Sequence, residues 1–305
     1  MADTSTPHSQ PRIGFIGTGL IGAPMVERLL ECGREVIVWN RSMDKVAPLV
    51  AAGAVGAASA REVAAQVDLL CLCLTDTMAV EDVVFGPLGV AAVMRPGQLV
   101  LDLSSIDPAA TVRMASRLEQ ETGARWLDTP VSGGVPAARA GRLIVFAGGR
   151  AEDVPRAAPV FDALAQRVTH MGAQGAGQFT KSCNQQIVAC NLAVIAEMLA
   201  FAERAGVDIT RLPGALASGF ADSLPLQIFG PRMATGTHEP RLGAVGTFRK
   251  DIEQVARLAA ASGAAVPVTQ AALTQFRAAA DDPAIGAAVD VSRLIHLLRE
   301  QATSA

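Results

Sequence analysis

Lysines are the residues in this chain best placed to do chemistry, because it has so few of them. Of 26 cationic side chains, only Lys45, Lys181 and Lys250 are lysines. Arginine keeps its proton in a protein, whereas lysine can release one when burial or a nearby cation depresses its ordinary pKa of about 10.4. Lys181 lies in the run Gly172-Ala173-Gln174-Gly175-Ala176-Gly177-Gln178-Phe179-Thr180-Lys181-Ser182-Cys183-Asn184. A spacing of three puts Lys181 and Asn184 on one helix face. A lysine beside an amide suits proton transfer at a carbonyl oxygen. A second stretch, Asp128-Thr129-Pro130-Val131-Ser132-Gly133-Gly134, offers a hydroxyl and paired glycines whose N–H groups can meet a carboxylate. A third, Arg249-Lys250-Asp251, puts another lysine at the start of a helical stretch. Taken singly, each also reads as something ordinary: an exposed helix turn, a glycine turn, a solvated charge cluster.

The element that would position these groups lies near the start of the chain, over Arg12 to Ser42. An apolar run, Ile13 to Ile16, leads into Gly17-Thr18-Gly19-Leu20-Ile21-Gly22; an amphipathic stretch follows and then a second apolar run, Glu35 to Trp39. Strand, glycine turn, helix and strand form the context that a dinucleotide-binding fingerprint requires. Gly17 permits the sharp turn, Gly19 lets N–H groups approach a pyrophosphate, and Gly22 lets the helix pack closely on the strand. The helix N-terminus then favours the anion. After the second strand comes Asn40-Arg41-Ser42, with no carboxylate to bond a ribose 2′-hydroxyl. Arg41 can instead pair with a 2′-phosphate, and Asn40 and Ser42 add hydrogen-bonding groups, which favours NADP(H) over NAD(H). The alternative is that Arg41 is a solvated loop charge and Ser42 caps the next helix.

Further along, strands and helices alternate. Helices are expected over Ser42–Ala52, from a capping box at Ser59-Ala60-Arg61-Glu62, from the N-cap pair Asp107-Pro108, and over Glu152–Ala165. Strands are expected at Asp68–Leu74, Leu99–Leu103, Trp126–Asp128, Leu143–Ala147 and Val168–Met171. Such alternation predicts an α/β fold with a doubly wound parallel sheet, a Rossmann domain over residues 12–172. At Gly172 the pattern changes. Gln178 to Arg204 is free of Gly and Pro and apolar on several faces, as expected of a buried helix about 40 Å long. Helical patterns follow over Thr247–Ser262, Pro267–Ala280 and Asp290–Gln301. An all-α domain is therefore expected over 173–305, built on that interdomain helix. Its alanine-rich faces suggest a homodimer or homotetramer. Residues 1–11 are polar and read as a disordered N-terminal segment.

Composition narrows the function classes. A net charge of −3 gives no nucleic-acid footprint. No uninterrupted apolar run approaches the ~20 residues of a membrane span, and the polar start lacks the apolar core of a signal peptide. Cys32, Cys71, Cys73, Cys183 and Cys190 are odd in number and include no CxxC pair; Cys71 and Cys73 lie inside an apolar strand and are expected as buried thiols, and a reducing cytoplasm fits. His8, His170, His238 and His296 show no metal-ligand spacing, so no metal is expected.

Together, the Gly17–Gly22 fingerprint running into Pro24-Met25, then Asp128–Gly134, Gly172–Lys181 with Asn184, and Lys250-Asp251 resemble the β-hydroxyacid dehydrogenase family. The resemblance spans about Arg12 to Arg299 in the family's own order, and it outweighs the three ordinary readings. Gly219-Phe220-Ala221-Asp222-Ser223 leans towards the branch that reduces tartronate semialdehyde. Ser182-Cys183 and Thr129 depart from the commoner pattern.

The resemblance implies residue roles. Lys181 would be the general acid/base for hydride transfer between NAD(P)H and a small carboxylate-bearing β-hydroxy acid or its semialdehyde. Ser132, Gly133 and Gly134 would hold the substrate carboxylate, and Asn184 its hydroxyl or carbonyl. Lys250 would reach cofactor or substrate, with Asp251 beside it on the cofactor side. Leu74 and Ser105 would line the nicotinamide side of the pocket. Imine reductases share the fold but lack a lysine at this position, so Lys181 argues for a carbonyl substrate. Two other readings remain: an NAD(P)-dependent dehydrogenase of a sugar acid such as threonate, and a non-catalytic NADPH-binding module.

Overall fold

The computed structural model describes residues 11–301, so nearly all of the expected disordered segment lies outside the described residues. The chain divides into two compact units, 1–181 and 182–305.

The strands of the first unit are β1 (Ile13–Ile16), β2 (Val36–Trp39), β3 (Val55–Gly56), β4 (Leu69–Leu72), β5 (Leu99–Asp102), β6 (Arg125–Asp128), β7 (Val131–Ser132), β8 (Leu143–Gly148) and β9 (Ala165–Gly172), and the central ones are apolar. They form one sheet in the order β3-β2-β1-β4-β5-β6-β8-β7, with β9 on the free side of β8. The path from β3 to β6 is parallel throughout, and β8 runs antiparallel to both β6 and β7. The order reverses after β1, the switch point where doubly wound sheets bind ligands.

Both faces of the central strands are buried, so each strand feeds two cores by alternation. Ile13, Phe15, Leu69, Cys71, Leu99 and Leu101 pack on one side with Met25, Val26 and Leu29 of α1 (Gly22–Glu31). On the other side, Ile16, Leu70, Leu72 and Val100 pack with Val63 of α3 (Ala60–Gln66), Val80 of α4 (Thr77–Phe85) and Met114 of α5 (Pro108–Thr122). Full burial of one such side chain contributes roughly 1.5–3 kcal/mol. The expected caps close these helices. Ser59 Oγ accepts from Glu62 N at 3.1 Å, and Asp107 Oδ1 accepts from Ala110 N at 2.7 Å.

Prolines reshape two expected helices. Ser42–Ala52 becomes a 3₁₀ turn, Met43–Lys45, followed by α2 (Ala47–Ala51), because Pro48 has no N–H to donate and opens a new helix. Pro155 and Pro159 likewise divide Glu152–Ala165 into two 3₁₀ turns and α7 (Ala158–Leu164). β9 starts at Ala165 rather than Val168; most of its side chains are exposed, so no apolar run marked its beginning. The short helix α6 (Gly134–Arg139) follows the paired glycines.

The helix α8 (Ala176–Arg204) starts in the first unit, and the division falls inside it, after Lys181. By length and hydropathy alone this helix could cross a bilayer. Ala189, Leu192, Ala196 and Leu199 are instead fully buried in a helical core. The remaining helices are α9 (Leu212–Leu216), α10 (Leu224–Thr235), α11 (Val245–Ser262), α12 (Pro267–Asp281) and α13 (Leu294–Gln301). No strand follows β9 among the described residues.

Candidate active site

The glycine turn between β1 and α1 has the geometry its spacing implies. Gly17 has φ +101°, and a Cβ there would lie 2.2 Å from the Cys73 carbonyl oxygen. At Gly22 a Cβ would lie 2.0 Å from the Gly17 carbonyl oxygen. Those two glycines hold backbone against backbone. Gly19 differs: a Cβ there would meet nothing within 4 Å. The space above Gly19 is therefore open, and Ile21, the N-cap of α1, contributes no side-chain cap to the first-turn N–H groups. An anionic pyrophosphate fits this cradle on both steric and electrostatic grounds. Thr18 is buried and Leu20 is exposed.

At the end of β2, Asn40 works inward. Its Oδ1 accepts from Thr18 N at 3.2 Å, and its Nδ2 donates to the Ser42 carbonyl at 3.0 Å. Asn40 thus ties the second strand to the glycine turn. Arg41 and Ser42 stand exposed beside it.

Past β4 and β5, the Leu74 N–H donates to Ser104 Oγ at 3.0 Å, which fixes Leu74 next to the loop that carries Ser105. Under this loop lies Asp102, fully buried. Its Oδ1 accepts from Ser104 N at 3.1 Å, while Oδ2 has no hydrogen-bond partner among the described residues. Burial pushes its carboxyl up to about 7 against the pull of the Ser104 bonds.

The stretch after β6 places Ser132 in β7, paired with Ile144 of β8, and Gly133 and Gly134 follow with φ +130° and +65°. Both glycines are exposed at the turn into α6. Asp128, at the end of β6, is fully buried and gathers donors from the start of α8. Oδ1 accepts from Gly175 N at 2.8 Å and Gln174 Nε2 at 3.1 Å, and Oδ2 accepts from Gln178 N at 2.9 Å. Gln178 continues the network, accepting from Ile106 N at 3.1 Å and donating to the Ser104 carbonyl at 2.8 Å. One helix turn further on, Lys181 is only 8% exposed. Lysine is rarely buried to this degree without a partner or a task.

In the second unit, Asn184 Nδ2 donates to Gln185 Oε1 at 2.9 Å, and Gln185 Nε2 donates to Asp251 Oδ2 at 2.6 Å. Asp251 is buried at 7% exposure, and its Oδ1 lies 3.3 Å from Lys250 Nζ. Asn184, Gln185, Asp251 and Lys250 therefore form one polar chain between α8 and α11. Asp251 spends its carboxylate within that chain, on Gln185 and Lys250.

Of the residues expected from sequence, the first unit holds Gly17 to Gly22, Asn40 to Ser42, Leu74, Ser105, Ser132 to Gly134 and Lys181. Asn184, Lys250 and Asp251 belong to the second. Reading the sequence missed Gln178 and Gln185, and gave Asp102 no role. The available signal was an amide in the mostly apolar turns of α8, which needs a partner when buried.

Comparison with known proteins gives matches along almost the whole chain. The model for the NAD binding domain of 6-phosphogluconate dehydrogenase matches residues 12–172. The model for the NAD-binding domain of NADP-dependent 3-hydroxyisobutyrate dehydrogenase matches residues 175–298. The chain is 35% identical to 2-hydroxy-3-oxopropionate reductase of Escherichia coli over 288 residues, 94% of this chain and 97% of that protein. Its fold is similar to the crystal structure of a 3-hydroxyisobutyrate dehydrogenase from Salmonella typhimurium, with a TM-score of 0.86 and 31% identity, covering 94% of this chain and 99% of that one. It is also similar to Psf3, solved in complex with NADP+ and 2-OPP, with a TM-score of 0.87 and 28% identity over 94% of this chain and 99% of that one.

Proposed function

The chain belongs to the β-hydroxyacid dehydrogenase family, NAD(P)-dependent oxidoreductases of hydroxyl and carbonyl groups, and from that premise we propose that it reduces a small carboxylate-bearing semialdehyde of the tartronate semialdehyde kind, with NADPH preferred over NADH. The observation that carries this reading is the buried Lys181, set in the first turns of α8 three residues before Asn184.

Bound NADPH supplies the hydride. Lys181 gives its proton to the carbonyl oxygen as negative charge grows there, so that hydride and proton together convert the aldehyde to an alcohol. In the reverse direction, neutral Lys181 takes the hydroxyl proton. Ser132 and the N–H groups of Gly133 and Gly134 hold the substrate carboxylate, which orients the carbonyl carbon. Asn184 contacts the hydroxyl or carbonyl, and the Gln185–Asp251–Lys250 chain keeps its amide in one orientation. Arg41 pairs with the 2′-phosphate, and Leu74 and Ser105 line the nicotinamide side. A soluble homodimer or homotetramer in the cytoplasm completes the proposal.

The test is NADPH oxidation, followed by absorbance, with tartronate semialdehyde as substrate. Saturable turnover with NADPH supports the reading. NADPH bound without turnover, together with NADP+ reduction in the presence of threonate, would replace the substrate class. Binding with no turnover on any hydroxy acid or semialdehyde would reduce the chain to a nucleotide-binding module.

A further inference from the structure

Asp128 has no part in the reaction proposed above, yet it joins three parts of the candidate site. Its carboxylate sits at the N-terminus of α8, where the first N–H groups have no partner inside the helix and the dipole favours an anion. It takes up Gly175 N and Gln178 N, one on each oxygen, with Gln174 Nε2 as a third donor. Backbone packs closely around it. A Cβ at Gly148 would lie 2.6 Å from both carboxylate oxygens, and one at Gly177 would lie 2.8 Å from Oδ2 and 2.3 Å from the Phe146 carbonyl oxygen. Gln178, held by this carboxylate, holds Ser104 and Ile106 in turn. Ser105 lies between those two residues. Ser132 follows Asp128 by four residues on the same short segment.

We propose that Asp128 is a positioning residue for Lys181: by fixing the first turn of α8 to the end of β6, it sets the proton donor in register with the Ser132–Gly134 loop and with the loop carrying Ser105. The inference rests on the proposed role of Lys181 as the proton donor. Lys181 is three residues past Gln178, about 4.5 Å along the helix axis, so a turn that unwinds or shifts at Gln178 carries Lys181 with it. A displacement of about 1 Å in a catalytic group can cost ~10²-fold in rate.

The experiment is a double-mutant cycle on the full chain with tartronate semialdehyde and NADPH, combining Asp128→Asn with Lys181→Ala. Asp128→Asn keeps the side-chain shape but replaces one acceptor oxygen with a donor facing an N–H. Expected alone is a fall in kcat of about 10- to 100-fold, with the Kd for NADPH and the KM for substrate within about twofold. Expected in the Lys181→Ala background is no further loss, because Asp128 acts through the group already removed. Amide hydrogen exchange over residues 175–181, read without substrate, should quicken in Asp128→Asn. If Asp128→Asn folds poorly, Asp128→Ser, which removes the charge and one acceptor oxygen, gives a second cycle with the same expectation. Gln98→Leu is the control for general loosening, since Gln98 is buried and bonded elsewhere in the same unit, to the carbonyls of Ala64 and Val67. Multiplying losses in the cycle, or unchanged exchange at the start of α8, would overturn the positioning role and leave the proton donor standing. Wild-type turnover in Lys181→Ala would overturn both.

Discussion

Asp102 and Asp128 are register partners on β5 and β6, two buried carboxylates side by side at the C-terminal edge of the sheet. Their situations differ. Asp128 has donors on both oxygens, whereas Asp102 has one satisfied oxygen and one without a partner. An unpartnered buried carboxylate oxygen is costly once charged. Asp102 is therefore the side chain of this edge most sensitive to pH.

The pH dependence has a definite sign. The folded-state value of Asp102, about 7, lies above the ordinary carboxyl value of 3.8. Below about pH 4 the side chain is protonated in both states, and its contribution is fully present. Between about 4 and 7 the unfolded chain has released the proton and the folded chain has not, so stability falls as pH rises. Urea unfolding of wild type and Asp102→Asn at pH 5 and pH 8 checks this. The wild type should lose about 2–3 kcal/mol relative to the variant over that interval, because pH 5 already lies about one unit above the ordinary carboxyl value.

Gly22 and Gly19 of the first turn should separate folding from binding. Gly22→Ala drives a Cβ into the Gly17 carbonyl oxygen and should cost at least about 2 kcal/mol of stability. Gly19→Ala meets no protein atom within 4 Å. Its melting temperature should stay within about 2 °C of wild type, while NADPH affinity falls by roughly tenfold or more, equivalent to about 1.4 kcal/mol. Calorimetry paired with a fluorescence titration of NADPH reads both quantities.

Arg41 should set the choice between the two nicotinamide cofactors. A charge-assisted hydrogen bond is worth about 1.5–3 kcal/mol, so Arg41→Ala should raise the KM for NADPH by roughly 10- to 100-fold and leave that for NADH almost unchanged. Arg41 is exposed, so the fold should not respond.

Local signals carried most of the fold. The fingerprint glycines, the Ser59–Glu62 capping pair and the Asp107-Pro108 N-cap all act within a few residues, and each appears where its spacing puts it. Apolar strands such as Leu69–Leu72 are visible because both sheet faces are covered. β9 was only partly visible, since its exposed side chains remove the apolar run that marks a strand. The site was legible as chemistry but not as connection. Nothing in the run around Asp128 announces that its donors lie 46 to 50 residues away, because a carboxylate specifies acceptors and not partners. The histidines teach the same lesson. His238 and His296 are 58 residues apart in sequence, yet their Nε2 atoms lie 3.2 Å apart in the helical unit.

The proton donor is the central claim, and Lys181→Ala tests it most directly. Loss of a positioned acid typically costs ~10²–10⁴-fold in rate. Single-turnover reduction of tartronate semialdehyde should therefore slow by at least ~10²-fold in the variant, while the Kd for NADPH, measured on the same preparation, stays within about twofold of wild type. A variant that binds NADPH normally and reduces the aldehyde at the wild-type rate would contradict the account.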